Sequence, residues 1–190
     1  QYRNISYGRK TDGGSEWVYF DQHSAGKTNN GKMSASKRCA KPEFNATGGF
    51  FSTPIYISLA TPAPGDTIYY TLNGAEPTRS HTRYTPGTSI NINKTTIIRA
   101  RCFSAGKLTS DIASSTYFIG ERNFKLPVVS IVTEQANLTD NTIGIYVVGT
   151  NGITGNGMNS PVNWNQDWDR PANIELYDTT NNVRINQEID

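Results

Sequence analysis

The chain has no apolar run near the roughly 20 residues that a membrane-spanning helix needs, so none is expected in its 190 residues. It holds two cysteines, Cys39 and Cys102. That excludes a framework of several disulfides and any zinc site built on repeated Cys-x-x-Cys pairs. Two histidines, His23 and His81, stand far apart in polar stretches, and a single imidazole is a poor metal site. There is no Gly-x-x-x-x-Gly-Lys-Ser/Thr loop, no His-Glu-x-x-His and no Gly-x-Ser-x-Gly elbow. The sequence signatures of P-loop, zincin and α/β-hydrolase chemistry are therefore missing. The opening residues QYRNISYGRK lack the apolar stretch of a secretory leader. The expectation is that a leader has been removed or that the chain is a piece of a longer protein.

Glycine (17) and proline (9) are plentiful, hydrophobic residues make up 35%, and tyrosine (10) outnumbers phenylalanine (7). That mixture points to strands, many turns and modest cores. The net charge of +2 is unevenly spread: residues 1–41 sum to +5, 42–120 to +2 and 121–190 to −5. The basic residues of the first segment (Arg3, Arg9, Lys10, Lys27, Lys32, Lys37, Arg38, Lys41) are scattered rather than clustered. They read as solvated surface, and no nucleic-acid partner is expected. In TTIIRARCFSAG, Ile98, Ala100 and Cys102 share a strand face, so Cys102 reads as a buried thiol. Cys39 lies in a polar stretch and is expected at the surface. Two unpaired thiols are favoured, with a disulfide left open.

Four stretches differ along the chain. Residues 1–33 offer two short strands, ISYGR and EWVYF, which cannot bury a core alone. Residues 34–41, SASKRCAK, read as a linker. Residues 42–120 carry strand signals at intervals of about 8–12 residues and no helical period, the pattern of a small sandwich. Residues 121–190 begin with LPVVSIVT, a continuous apolar run that reads as a strand buried on both faces. A helical turn follows in TEQANLTDN, then a strand IGIYVV, a long Gly/Asn loop through Trp168, and a hairpin of PANIELYD and VRINQEI.

Candidate site residues are few. In DTIYYTLNGAEPTRSHTRYT, Ile68 and Tyr70 face one way and Tyr69 and Thr71 the other. Asn73-Gly74 makes a turn, and the loop that follows ends at Tyr84. Two readings stand. Tyr69, Arg83 and Tyr84 form a sugar-binding patch, or Tyr84 folds back to plug the end of the sandwich. Trp164 and Trp168 either stack on a sugar ring or anchor their loop to a sheet. Asp167 and Asp169 flank Trp168 and form a weak calcium candidate beside the plainer reading of a solvated loop or an ion pair with Arg170. No catalytic residue, no other metal site and no cofactor are expected.

Three segments resemble known families. NISYGRKTDGGSEWVYFDQHSAGKTN, through Ser6-Tyr7-Gly8-Arg9, Asp12-Gly13, Trp17 and Phe20, resembles the closing strands of a bacterial lamin-tail domain, which is immunoglobulin-like. Residues 42–119 resemble the chitobiase/β-hexosaminidase C-terminal domain, a fibronectin type III-like sandwich. The matching positions are Gly48-Gly49, Ile68 to Thr71, Gly74, Pro77-Thr78, Tyr84 and Arg99-Ala100-Arg101. LPVVSIVTEQANLTDNTIGIYVVG with NWNQDWDRPANIELYD resembles the opening of spore-coat protein H (CotH)-like kinases, ahead of their catalytic motifs. That order of domains is typical of large surface proteins of gut Bacteroidetes.

These resemblances imply an all-β chain. A central sandwich over 42–120 would lie between lamin-tail-like strands at 1–33, the linker, and CotH-like strands at 121–190. The implied function is a non-catalytic extracellular or cell-surface spacer or adhesion module. Its expected partners are neighbouring domains of the same protein, with glycans or cell wall as further ones. Two alternatives remain open: part of a CotH-like protein kinase whose catalytic residues lie outside the chain, or a carbohydrate-binding module.

Overall fold

A computed structural model describes residues 5–31, 34–60, 63–121 and 124–189. The chain is mostly β, and no helix is long and apolar enough to cross a membrane among the described residues. Four strands come first: β1 (Ser6–Arg9), β2 (Trp17–Phe20), β3 (Ser34–Ala35) and β4 (Lys37–Arg38). β1, β2 and β3 form a three-stranded antiparallel sheet whose inner face carries Val18 and Phe20.

The stretch read as a linker is firmly docked. Arg38 donates through Nε to the carbonyl of Thr109 at 2.9 Å and ion-pairs with Asp111. β4 runs parallel to a strand that begins at Lys107. Cys39 is only 4% exposed, so its expected surface position is wrong. Its N–H donates to the carbonyl of Leu108 at 2.9 Å, which draws the thiol inward despite polar neighbours in sequence.

The central unit follows with β5 (Glu43–Phe44), β6 (Gly49–Phe51), β7 (Ile55–Ile57), β8 (Leu59–Ala60) and β9 (Thr67–Thr71). It continues with β10 (Thr82–Arg83), β11 (Ile90–Ile92), β12 (Thr96–Phe103), β13 (Lys107–Leu108) and β14 (Ala113–Ile119). Five of these make one sheet in the order β10-β9-β12-β14-β6, and β7–β11 and β5–β8 pair separately. Period-two alternation builds the core. Ile68, Ile98, Ala100, Ala113 and Tyr117 from the large sheet meet Ile57, Leu59, Ile90 and Ile92 from the short pairs. Tyr84 is buried in that same cluster, and its hydroxyl donates to the carbonyl of Thr88.

The remaining elements are β15 (Val128–Thr133), α1 (Gln135–Thr139), β16 (Ile153–Gly155), β17 (Met158–Val162), β18 (Ala172–Tyr177) and β19 (Val183–Ile189). β15, β18 and β19 form a three-stranded antiparallel sheet. The β18–β19 hairpin and the helical turn lie where the sequence predicts them. Three expectations fail. β15 is buried on one face only: Val129 and Ile131 are 52% and 64% exposed, because nothing among the described residues packs over that side. Residues 143–148, expected as strand IGIYVV, form turns and bends. Their backbone instead bonds back to the preceding helical turn, with Ile145 N–H on Asn137 O and Tyr146 N–H on Leu138 O, both at 2.9 Å. The Gly/Asn loop contains the β16–β17 hairpin, turned by Asn156 and Gly157 at φ of 48° and 76°.

Candidate functional site

The five-stranded sheet has an inner face that fills the core and an outer face that carries polar chemistry. Register assembles the outer face across four strands. Arg83 on β10 lies opposite Tyr69 on β9, and Tyr69 lies opposite Arg101 on β12. One step along, Thr71 lies opposite Arg99, and Arg99 opposite Ser114 on β14. Phe103 extends the same face, with the Tyr69 ring edge-on to it at 5.4 Å and the Arg79 guanidinium 5.1 Å above it.

The loop after Asn73-Gly74 folds against this face. Gly74 carbonyl accepts from Arg99 Nη1 at 2.9 Å, and Glu76 ion-pairs with Arg101, whose Nε donates to Ser110 carbonyl at 2.9 Å. Glu134, beside the helical turn, accepts from the Glu76 N–H. The long loop is thus a buttress between the sandwich and the segment after it. Glu76, Arg99 and Arg101 line a cavity of about 330 Å3 with Arg38, Asp111 and Glu188. Arg99 is buried, and its Nε has no partner. Burial pushes the Arg99 guanidinium below its ordinary value, opposed by the carboxylates of Glu76, Glu134 and Glu188.

At the β14 end, the outer face is covered by the β15-β18-β19 sheet through a polar seam. β18 turns Asn173, Glu175 and Tyr177 inward, and all three are buried. Glu175 accepts from Thr116 N–H at 3.3 Å and Asn186 Nδ2 at 3.2 Å, and from the Thr116 hydroxyl. Tyr177 hydroxyl donates to Thr116 carbonyl at 3.0 Å, and Asn186 Nδ2 also donates to Ser114 carbonyl at 3.0 Å. Burial pushes the Glu175 carboxyl up, and hydrogen bonds from Thr116 and Tyr177 only partly pull it back. Beside the seam, Tyr177 stands edge-on to Phe118 and Phe50, and those two rings stack at 4.4 Å.

The expected site residues separate. Tyr69 and Arg83 are neighbours on the outer face, with Tyr69 half-buried and Arg83 exposed. Tyr84 points the other way into the core, so its ring offers no face to a ligand. Trp164 is 40% exposed in a 3-10 turn at Asn163–Asn165. Trp168 is half-buried, with the Arg170 guanidinium 4.7 Å from its ring centre. Arg170 donates to Ile143 carbonyl rather than closing an ion pair with its acidic neighbours, and Asp167 and Asp169 are exposed. The loop around these tryptophans is organised by Asn163, which sequence reading passed over. Its side chain bonds the backbone of Asn141, Gly144 and Asn151. Among the described residues, one group brings three metal-capable side chains together: Cys39, Asp66 and Cys102.

A sandwich with a structured polar outer face and a second sheet seated on it defines an immunoglobulin/fibronectin type III-like β module rather than a closed barrel or a doubly wound sheet. Residues 46–115 match the family model of the chitobiase/beta-hexosaminidase C-terminal domain, so the chain contains a domain of that kind. The match runs from the turn before β6 into β14, and takes in the Arg99–Arg101 row. The chain has no significant match among curated proteins.

Proposed function

We propose that this chain is a non-catalytic extracellular module, a spacer that fixes the orientation of neighbouring β units in a larger glycan-active surface protein. One observation carries the reading: the buried seam of Glu175, Thr116, Tyr177 and Asn186. A flexible tether has no use for a fully buried carboxylate, which costs several kcal/mol unless its hydrogen bonds are all made. A fixed joint does. The domain type at 46–115 supports it, since such domains typically serve as accessory modules of glycan-active proteins. Lamin-tail-like strands before the sandwich and CotH-like strands after it fit the same reading, as does a Bacteroidetes surface protein as the parent. If the parent is a CotH-like kinase, its catalysis belongs to residues other than these, and this chain alone does not bind MgATP.

A second reading has its own support. Tyr69 between Arg83 and Arg101 offers an aromatic edge flanked by donors, the elements of a sugar contact. Retention of the whole chain on insoluble chitin and peptidoglycan tests it. The glycan reading requires retention that is lost in Tyr69→Ala with the fold intact. No retention leaves the spacer alone.

A further inference from the structure

Cys39, Asp66 and Cys102 are far apart in sequence and meet below the sheet. Cys102 sits on the inner face of β12 and is fully buried. Cys39 follows β4, which is held to β13. Asp66 precedes β9, and its side chain is 1% exposed. Its Oδ1 accepts from Lys107 Nζ at 2.6 Å, whereas Oδ2 is buried without a well-formed hydrogen bond, with the Ser104 hydroxyl and the Cys102 thiol beside the carboxylate. The two sulfurs and a carboxylate oxygen all lie within 4.8 Å of one another.

A carboxylate oxygen without a well-formed hydrogen bond at this depth is costly. A disulfide between the thiols would leave it so. A cation would satisfy it. We propose that Cys39, Asp66 and Cys102 form a buried site for a thiophilic divalent cation of the zinc class. Two sulfurs and one carboxylate are a zinc-type donor set, with a fourth position left for water. Ligands at about 2.0–2.3 Å from such an ion lie roughly 3.4–3.8 Å apart, so the side chains need only close in by rotation. Charge also balances. The ion displaces one proton from each thiol and no electrons move. Two thiolates, one carboxylate and the Lys107 ammonium then offset the two positive charges of the ion. Lys107 orients Asp66 from outside the coordination shell. Binding would staple the segment before the sandwich to the sandwich core.

Burial pushes the Cys102 thiol up to about 12. The cation must therefore compete with tightly held protons. Affinity rises with pH by about 100-fold per unit while both thiols deprotonate on binding.

The test uses the whole chain, reduced and stripped with chelator, then titrated with Co2+ as an optical probe and Zn2+ in native mass spectrometry. One bound ion per chain and a sulfur-to-cobalt charge-transfer band are expected. Cys102→Ser removes the band. Asp66→Asn, which keeps the side-chain shape, and Lys107→Gln, which withdraws the ammonium from a buried carboxylate, weaken binding by about 10–100-fold in protein whose folding is checked by circular dichroism. Two outcomes overturn the proposal. One is a mass lower by two hydrogens with no thiol reactive in denaturant, which means a disulfide. The other is two reactive thiols and no bound ion.

Discussion

Replacing Gly48 by alanine tests the seam at its tightest point. A Cβ at this position would lie 2.6 Å from Ser115 Oγ, 2.6 Å from Thr116 carbonyl oxygen and 2.7 Å from Tyr177 hydroxyl. Real Cβ atoms keep farther away, so something must shift. The serine hydroxyl can rotate. The Thr116 carbonyl belongs to β14, which is paired with β12 through Ile97. The Tyr177 hydroxyl is held on that same carbonyl at 3.0 Å. Overpacking of this kind costs about 1–3 kcal/mol, and losing the tyrosine hydrogen bond adds about 1 kcal/mol. Gly48→Ala should therefore destabilise the chain by about 2–4 kcal/mol in urea denaturation. A double-mutant cycle sharpens the test. Tyr177→Phe removes one of the three clashing atoms, so the double variant should be more stable than the two single losses added together, by at least about 0.5 kcal/mol. A Gly48→Ala protein within about 0.5 kcal/mol of the parent would refute the reasoning. Strict additivity with Tyr177→Phe would show that the hydroxyl does not sit where the seam needs it.

Other consequences follow from single groups. The folded Glu175 carboxyl lies above its ordinary 4.5, so its protonated form favours folding. That contribution is complete below pH 4.5 and is lost as pH rises through the folded value. The stability of the parent chain relative to Glu175→Gln should therefore fall as pH rises above 4.5, and a flat difference in urea midpoints would contradict this. The Asp178 carboxyl, held down by Thr180 and by the Asn182 N–H, works in the opposite direction. Its contribution is present above the ordinary carboxylate range and is lost as pH falls, so Asp178→Ala should flatten the acid limb of a stability–pH curve. Asn181 sits at φ 64° in the β18–β19 turn, so Asn181→Val should cost about 1–2 kcal/mol in thermal or urea melts, whereas Asn181→Gly should not.

Where local pattern decides structure, the sequence was readable. In β9 and β12, Ile68, Ile98, Ala100 and Cys102 all lie on the core side, as their spacing predicts. The Asn73-Gly74 turn and the β18–β19 hairpin followed from turn chemistry. Tyr69 and Arg83 could be placed near each other, and a Tyr84 turned into the sandwich was one of two readings open, because the path of the loop that decides between them has no local signal. β18 reversed the usual rule. Its Asn173, Glu175 and Tyr177 face inward, while Ile174 and Leu176 lie on the other side. The burying partner, Ser114 and Thr116 of β14, is some 60 residues away and is itself polar. Hydrophobicity within β18 carries no trace of that. Cys39 met Cys102 through the parallel β4–β13 pairing, which also has no local signal. The β16–β17 hairpin did carry one, Gly155-Asn156-Gly157, but its flanking strands are too polar and exposed to show alternation.

Backbone 15N relaxation on the whole chain tests the fixed joint most directly. If the seam locks the two sheets, amides in β9, β12 and β14 and amides in β15, β18 and β19 tumble with one correlation time, that of a single 20.9 kDa body. Two distinct correlation times, each that of a smaller unit, would mean that the sheets move independently and that the chain is not a rigid spacer.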